Sequence, residues 1–493
     1  MENQRRKLEI YEGIFRAYGP GDSACQLSEL AALLHVSERY VQTLIKKLVA
    51  LGWLKWDAQS GRNKKATLSC LKEPIDACYQ LAQPMAESGS VDQLLNLLGF
   101  GGRDSGKELE AFLSRSELGI QRTLYIPFHR ELENLHPLKS LRRTERFLVT
   151  QVCQRLTRII QGEIKGDLAY HWQSNADGTC WRFQIHNGAK FHDGTSLNAN
   201  DVVRCLNALI GSHYWSRLYE HIDTIKALSP EVIEIQLNAA DWHLPRLFSR
   251  AETSIYKAVV KGGLVGSGAF SVAVFSSKML RLVRHTGYTH KVPLVERVEL
   301  WVYPEWAESK VCAINQLCVK LPEKTQRITS KKLSTFIEIR NSSSQDDSNE
   351  RISYEDNSEC KAIFQSRCPE SEGQEVPYAQ YNKEFTTVFC SVIEEDDPFI
   401  SWLSFLTLFP FKQGEYDVEL CKIRNTPDLK EAEKYLTDLF QRAQEEEVLT
   451  LLKDEPFHLE ISRKVENTIV NGFGWCELGD VWVSDNMIQN GFK

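Results

Sequence analysis

The chain has 493 residues, 42% hydrophobic and 25% charged, with a formal net charge of −7. That allows about two to four domains with sizeable cores, and no apolar run approaches the roughly eighteen residues of a membrane span. The opening MENQRRKLEIYEG has no apolar signal-type core, and the thirteen cysteines form no C-x-x-C pair, so a cytoplasmic protein with reduced thiols and no metal or other cofactor is expected.

In chain order, Leu8, Tyr11, Ile14 and Phe15 give a bracing helix over roughly Arg5 to Tyr18. Leu27, Leu30, Ala31 and Leu34 recur at helical spacing, with Ser28 and Glu29 near the start of that helix. His35 and Val36 interrupt the pattern. Ser37 is suited to cap a second helix whose buried stripe is Val41, Leu44, Ile45 and Leu48. Arg39, Gln42, Thr43 and Lys46 fall on the opposite face, where arginine and lysine can donate to guanine and glutamine can pair with adenine. Gly52 suits a left-handed helix stop. Trp53, Leu54 and Trp56 begin a strand, Ser60-Gly61 turns it, and Ala66 to Leu68 return. Arg62, Lys64 and Lys65 load the tip of this hairpin with cations that can meet phosphates.

This layout is a winged helix-turn-helix over 1–72, with double-stranded promoter or operator DNA as its expected partner. Charge agrees: residues 1–70 carry eleven Lys and Arg against seven Asp and Glu, a net +4, so the remainder carries −11. A winged helix can also dock to protein, with its cations solvated.

Residues 73–120 are expected to be a helical connector, with Val91, Leu94, Leu95 and Leu98 on one face and Gly99 to Gly102 as a stop. From 121 to 493 short alternating segments (Thr123 to Pro127, Trp181 to His186, Val232 to Leu237, Val298 to Val302) mix with helical ones (Arg142 to Ile160, Ala199 to Ile210), which argues for an α/β body. Asp193-Gly194 reads as a tight turn, Phe191 as a core plug, and Asn200-Asp201 as a helix cap. His192 has no second ligand at metal spacing on its own element. Residues 341–375 read as a polar loop, and Asp428 to Leu452 as an amphipathic helix whose Glu445-Glu446-Glu447 run is a wet face. Trp301, Trp306 and Trp402 are surfaces on which a sugar could stack, and burial is the commoner fate of tryptophan.

Trp172-Gln173-Ser174, Asp177-Gly178, Trp181-Arg182-Phe183, Asn187 through Gly194 and Asn200-Asp201-Val202 together resemble the signature of peptide-type periplasmic solute-binding proteins. Val265 to Phe270 is similar to that family's later G-T-G-P-Y stretch, with Ser for Thr and Ala-Phe for Pro-Tyr. With a winged head carrying Leu-Gly-Trp-Leu-Lys-Trp and Ser-Gly-Arg-Asn-Lys-Lys, and the L-x-x-L-R-R-T-E stretch from Leu138 to Glu145, the chain resembles the SgrR family of bacterial transcription regulators. The likeness runs from about residue 5 to 305. It implies a two-lobed, periplasmic-binding-protein-like α/β module that closes on a small ligand, and a response to sugar-phosphate stress through a small regulatory RNA gene. A phosphorylated ligand would want cations, and Arg281, Arg284, Lys291 and Arg297 form a basic stretch, although each is more often a solvated charge.

Neither G-x-S-x-G nor G-x-x-x-x-G-K-[ST] occurs, so an enzyme is not expected. Two readings stand: a ligand-responsive DNA-binding regulator, or an intracellular solute-binding protein, for sugar or oligopeptide, whose winged head makes protein contacts.

Overall fold

The computed structural model describes residues 2–58, 65–114, 122–128, 130–139, 141–260, 263–302, 316–319, 325–340, 351–378, 385–409 and 416–484. It divides into two compact units, Met1–Ile120 and Gln121–Lys493.

In the first unit α1 (Glu2–Tyr18) buries Leu8, Tyr11 and Ile14. It leads through β1 (Gly21–Cys25) to α2 (Leu27–Leu33) and α3 (Glu38–Ala50). The cap of α2 is Gln26, whose backbone N–H donates to Glu29 at 3.0 Å, so the helix begins ahead of Ser28. Ser37 caps α3 by accepting from the Tyr40 N–H at 3.3 Å. At its far end Gly52 takes φ +68° while Trp53 N–H reaches back to the Leu48 carbonyl at 3.0 Å, a Schellman stop. The chain then forms β2 (Leu54–Asp57) and β3 (Ala66–Cys70), antiparallel, and β1 adds to the other edge in the order β1-β3-β2. Helices α4 (Pro74–Ser88), α5 (Val91–Leu98) and α6 (Ser105–Ser114) belong to the same unit, with α4 and α5 packed on α1. Arg103 pairs with Glu12 at 2.8 Å, and the Trp53 indole donates to Gln80 at 3.2 Å, tying these helices to the winged part.

The second unit opens with β4 (Thr123–Phe128) and α7 (Arg143–Val152). The single helix expected over Arg142 to Ile160 stops at Val152: Cys153 is extended, and Thr157–Ile160 is β5, paired antiparallel with β6 (Glu163–Gly166). The stop is tertiary. Gly268 N–H donates to the Val152 carbonyl at 2.8 Å, and a Cβ at Gly266 or Gly268 would lie 2.2 or 2.5 Å from the carbonyls of Val152 or Gln151. Next come β7 (Ala169–Ser174), β8 (Cys180–Ile185), α8 (Ala199–Ile210), β9 (Ile222–Ser229) and β10 (Val232–Leu237), whose strands form an antiparallel sheet ordered β7-β8-β10-β9. Asn198, slightly earlier than expected, caps α8, and Asp201 completes its capping box. Phe191 is buried and Gly194 takes φ +82°, as the plug-and-turn reading requires. One-turn α9 (Leu244–Leu247) and the pair β11 (Ala258–Val260) and β12 (Gly263–Val265) lead to β13 (Phe270–Phe275), β14 (Met279–Arg284) and β15 (Arg297–Val302). Their sheet, β13-β14-β15-β4, closes with β4 parallel to β15.

The second lobe is built on a six-stranded mixed sheet, β16-β21-β17-β20-β18-β19. Its strands are β16 (Gln316–Val319), β17 (Thr325–Arg340), β18 (Ile352–Glu355), β19 (Gly373–Val376), β20 (Thr387–Ile393) and β21 (Leu449–Ser462). The polar stretch expected to be loop is ordered over 352–376 as β18, α10 (Ser358–Arg367) and β19, a parallel crossover; 341–350 lie outside the described residues. Asn357 caps α10 on the Cys360 N–H at 2.7 Å, and Cys360 and Phe364 supply its buried side. After β20 come α11 (Pro398–Leu408), α12 (Asp417–Arg424) and α13 (Leu429–Glu445). The helix expected to reach Leu452 ends at Glu445; Glu447 turns with φ +55°, and Leu449 starts β21. The last segment, with β22 (Val465–Glu466) and β23 (Trp482–Val483), returns to the first lobe, where Trp475 stacks on Phe147 at 4.8 Å.

Candidate nucleic-acid interface and interlobe seam

Helix α3 separates its two faces sharply. Val41, Leu44, Ile45 and Leu48 are at most 4% exposed, while Arg39, Gln42, Thr43 and Lys46 are all exposed, one above another at i, i+3, i+4 and i+7. Thr43 Oγ1 donates to the Arg39 carbonyl at 3.1 Å, which ties its hydroxyl to the helix. Gln42 and Lys46 border a groove whose other walls are Gln26 and Leu27 at the start of α2 and Trp56, Ala58 and Ala66 of the wing. Exposed side chains on a rigid helix beside a two-stranded hairpin can enter a DNA major groove while the hairpin follows the backbone. Of the wing cations, Lys65 is described, and it pairs with Glu29 at 3.0 Å; both partners are largely exposed. Arg62, Lys64 and the Ser60-Gly61 turn lie outside the described residues.

In the body, the basic stretch does not form an anion pocket. Arg281 is buried against Glu299 at 2.7 Å, Glu299 also accepts from the Trp301 indole at 3.0 Å, and Arg284 pairs with Glu296 at 3.4 Å. Lys291 is exposed and Arg297 half-buried. Trp301 is core, Trp402 is half-buried with its indole 3.3 Å from Glu394, and Trp306 lies outside the described residues. His192 has a neighbour that sequence spacing did not reveal: its ring lies 4.8 Å from that of His285, and both imidazoles face the Gly268 carbonyl at 3.2 Å. Burial pushes the His192 imidazole down to about 4, against the pull of the Gly268 carbonyl. This pair braces the Gly266-Ser267-Gly268 turn. Among the described residues no group of three or more His, Cys, Asp or Glu is placed to hold a metal, and no helix is long and apolar enough to cross a membrane.

The polar cluster that sequence reasoning missed lies where the lobes meet. Arg146 of α7 and Arg250, each 3% exposed at the side chain, converge on Glu395, which follows β20. Glu252 holds Arg250 at 2.5 Å and accepts from the Tyr219 hydroxyl at 3.2 Å. A small cavity beside them is lined by Arg250, Tyr378, Ser401 and Ser404, with room for about one water. No spacing rule brings positions 146, 250 and 395 together, because they are joined only by the fold.

Both parts have counterparts among known proteins. Residues 6–118 match the family model described as "Sugar transport-related sRNA regulator N-term", and residues 163–316 match "Bacterial extracellular solute-binding proteins, family 5 Middle". The second unit is similar in fold to a dipeptide binding protein from Pseudoalteromonas solved with Met-Leu, with TM-score 0.60 at 13% identity, covering 73% of this chain and 100% of that one. It is likewise similar to the oligopeptide-binding protein AppA from Bacillus subtilis solved with a nonapeptide, with TM-score 0.59 at 14% identity, 74% of this chain and 99% of that one. The likeness therefore includes the second lobe, where the sequence resemblance had lapsed. The class defined is a winged-helix head joined to a solute-binding-protein-like α/β body.

Within that class the chain is similar to the SgrR regulators of transcription. It is 32% identical over 299 residues to the HTH-type transcriptional regulator SgrR of Yersinia enterocolitica, and 30% identical over 297 residues to that of Salmonella choleraesuis. These alignments cover 59% and 58% of this chain but 53% and 52% of the relatives, so the match spans about half their length.

Proposed function

We propose that this protein is a cytoplasmic, DNA-binding transcriptional regulator whose body senses a small metabolite, with a sugar phosphate as the first candidate. It acts by binding and not by catalysis. The observation that carries the reading is the clean face of α3: four groove-competent side chains stand exposed directly opposite a fully packed stripe, next to the wing. The relatives named as HTH-type regulators support the same use of the head. The likeness of the body to proteins that enclose solutes between two lobes supports the sensing half. Such a body can alter the head only if ligand binds one arrangement of the lobes better than another. Fluorescence anisotropy of the full chain on the DNA upstream of its own gene, with and without glucose 6-phosphate or a dipeptide, tests this. Affinity that shifts fivefold or more with the sugar phosphate and not the dipeptide is expected, the size of an ordinary coupling energy. DNA affinity indifferent to both would contradict the assignment of the sensed class.

A further inference from the structure

The L-x-x-L-R-R-T-E stretch has no part in the head and none in the turn and cap chemistry of the body. Its glutamate faces inward. Glu145 is fully buried, takes a two-pronged pair from Arg130 at 2.5 and 2.8 Å, and accepts the Glu133 N–H at 3.1 Å. That fixes the loop leading into α7. The arginines of the same turn of chain point to the second lobe. Arg142 pairs with Asp356, just beyond β18. The Arg143 guanidinium lies 4.7 Å over the Phe457 ring of β21. One turn on, Arg146 meets Glu395 and lies 4.7 Å over the Tyr378 ring. Arg250, also of the first lobe, comes within 4.0 Å of the same Glu395 carboxylate. Glu395 itself sits at φ +44°, in the bend that turns the chain from β20 into α11.

We propose that this arginine-bearing start of α7 is an electrostatic clasp between the lobes, with Glu395 as the internal counter-charge that Arg146 and Arg250 share. Opening the seam must part these groups, because both arginines belong to the first lobe and the carboxylate to the second. A buried pair deprived of one partner leaves an uncompensated charge, whereas replacing both partners with apolar side chains of similar volume removes the penalty. The clasp thus sets how readily the body opens, and it concerns the body alone, whether or not the head binds DNA.

Hydrogen exchange of the full chain, read by mass spectrometry, tests it. Glu395→Gln should speed exchange about tenfold or more in seam peptides over 141–152 and 394–408 while β8 and β10 keep their protection. The double variant Arg146→Met with Glu395→Leu should restore the seam to within about threefold of the parent. Arg142→Ala, which removes the half-exposed crossing, should loosen the same peptides severalfold. Unchanged seam exchange in Glu395→Gln overturns the clasp. Should that variant instead lose protection throughout both lobes, the other two decide: a re-protected double variant with local loosening in Arg142→Ala upholds the clasp, and failure of either result overturns it.

Discussion

Gln42 and Lys65 are both candidate contacts of the head yet stand in different electrostatic circumstances. Gln42 points from α3 with no charge to satisfy, so it is free to read a base edge. Lys65 is paired with Glu29, but an exposed pair of this kind contributes little and can be exchanged for a phosphate. Alanine at Arg39 or Gln42 should therefore cost about 1–3 kcal/mol on the preferred site and relax choice at one base pair. Removing Arg62, Lys64 and Lys65 together should weaken binding to all sequences alike and lower the salt slope by about 1 for each phosphate no longer neutralised. Competition between a specific and a scrambled duplex separates the two effects. Equal loss of discrimination in both sets of variants would contradict the division of labour.

Glu355, on β18, makes a second residue-level case. It is enclosed, and burial pushes its carboxyl up to about 7 although the N–H and hydroxyl of Ser391 and the Asn357 amide all donate to it. In the unfolded chain it ionises near 4.5. Between those values the folded state keeps a proton that the unfolded state has released. Its contribution is thus full below about pH 4.5 and is lost as pH rises through about 7. Body stability in urea should fall by about 2 kcal/mol from this group between pH 5 and 8, and Glu355→Gln should abolish that part of the fall. Parallel pH profiles for parent and variant would show that the carboxyl is not held protonated.

At the scale of elements, sequence pattern succeeded where the periodicity was strong and the stops were local. The buried stripe of α3, the Ser37 cap and the Gly52 stop were all legible, as were Ala432, Leu436, Leu439 and Ala443 on α13. It failed where the stop is tertiary or the element is short. Nothing in Arg142 to Ile160 announces a break at Val152, because the break is made by glycines more than a hundred residues later. The β18–α10–β19 crossover was hidden by its own charges, with only Cys360 and Phe364 buried on its helix. Gly268→Ala should test the tertiary stop directly. Its Cβ would fall 2.5 Å from the Gln151 carbonyl, so α7 must shift, at about 2 kcal/mol or more of body stability. A melting temperature within a degree of the parent would show that the close approach relaxes freely.

The whole molecule divides its labour by charge and by architecture. The basic winged part (+4 over residues 1–70) and the acidic stretch after it (−4 over 71–120) make one compact unit of no net charge, the α/β body (−7) makes the other, and each contains its own packed core. The five described residues among the head's seven candidates are exposed, and the stretch that holds all seven was legible. The polar seam of the body was not, since Arg146, Arg250 and Glu395 come from three distant segments. Ion pairs also take up Arg281 and Arg284, two cations of the basic stretch whose commoner fate was to be solvated.

The central claim is that the head holds double-stranded DNA through α3 and the wing. The most direct measurement is the affinity of the full chain for the duplex upstream of its gene, and for a scrambled duplex, between 50 and 200 mM salt. The account predicts binding to both, tighter on the first, with log affinity falling against log salt at a slope of about −3 or steeper if about four phosphates are neutralised. Salt-independent affinity, or no binding to either duplex at the lowest salt, would contradict it.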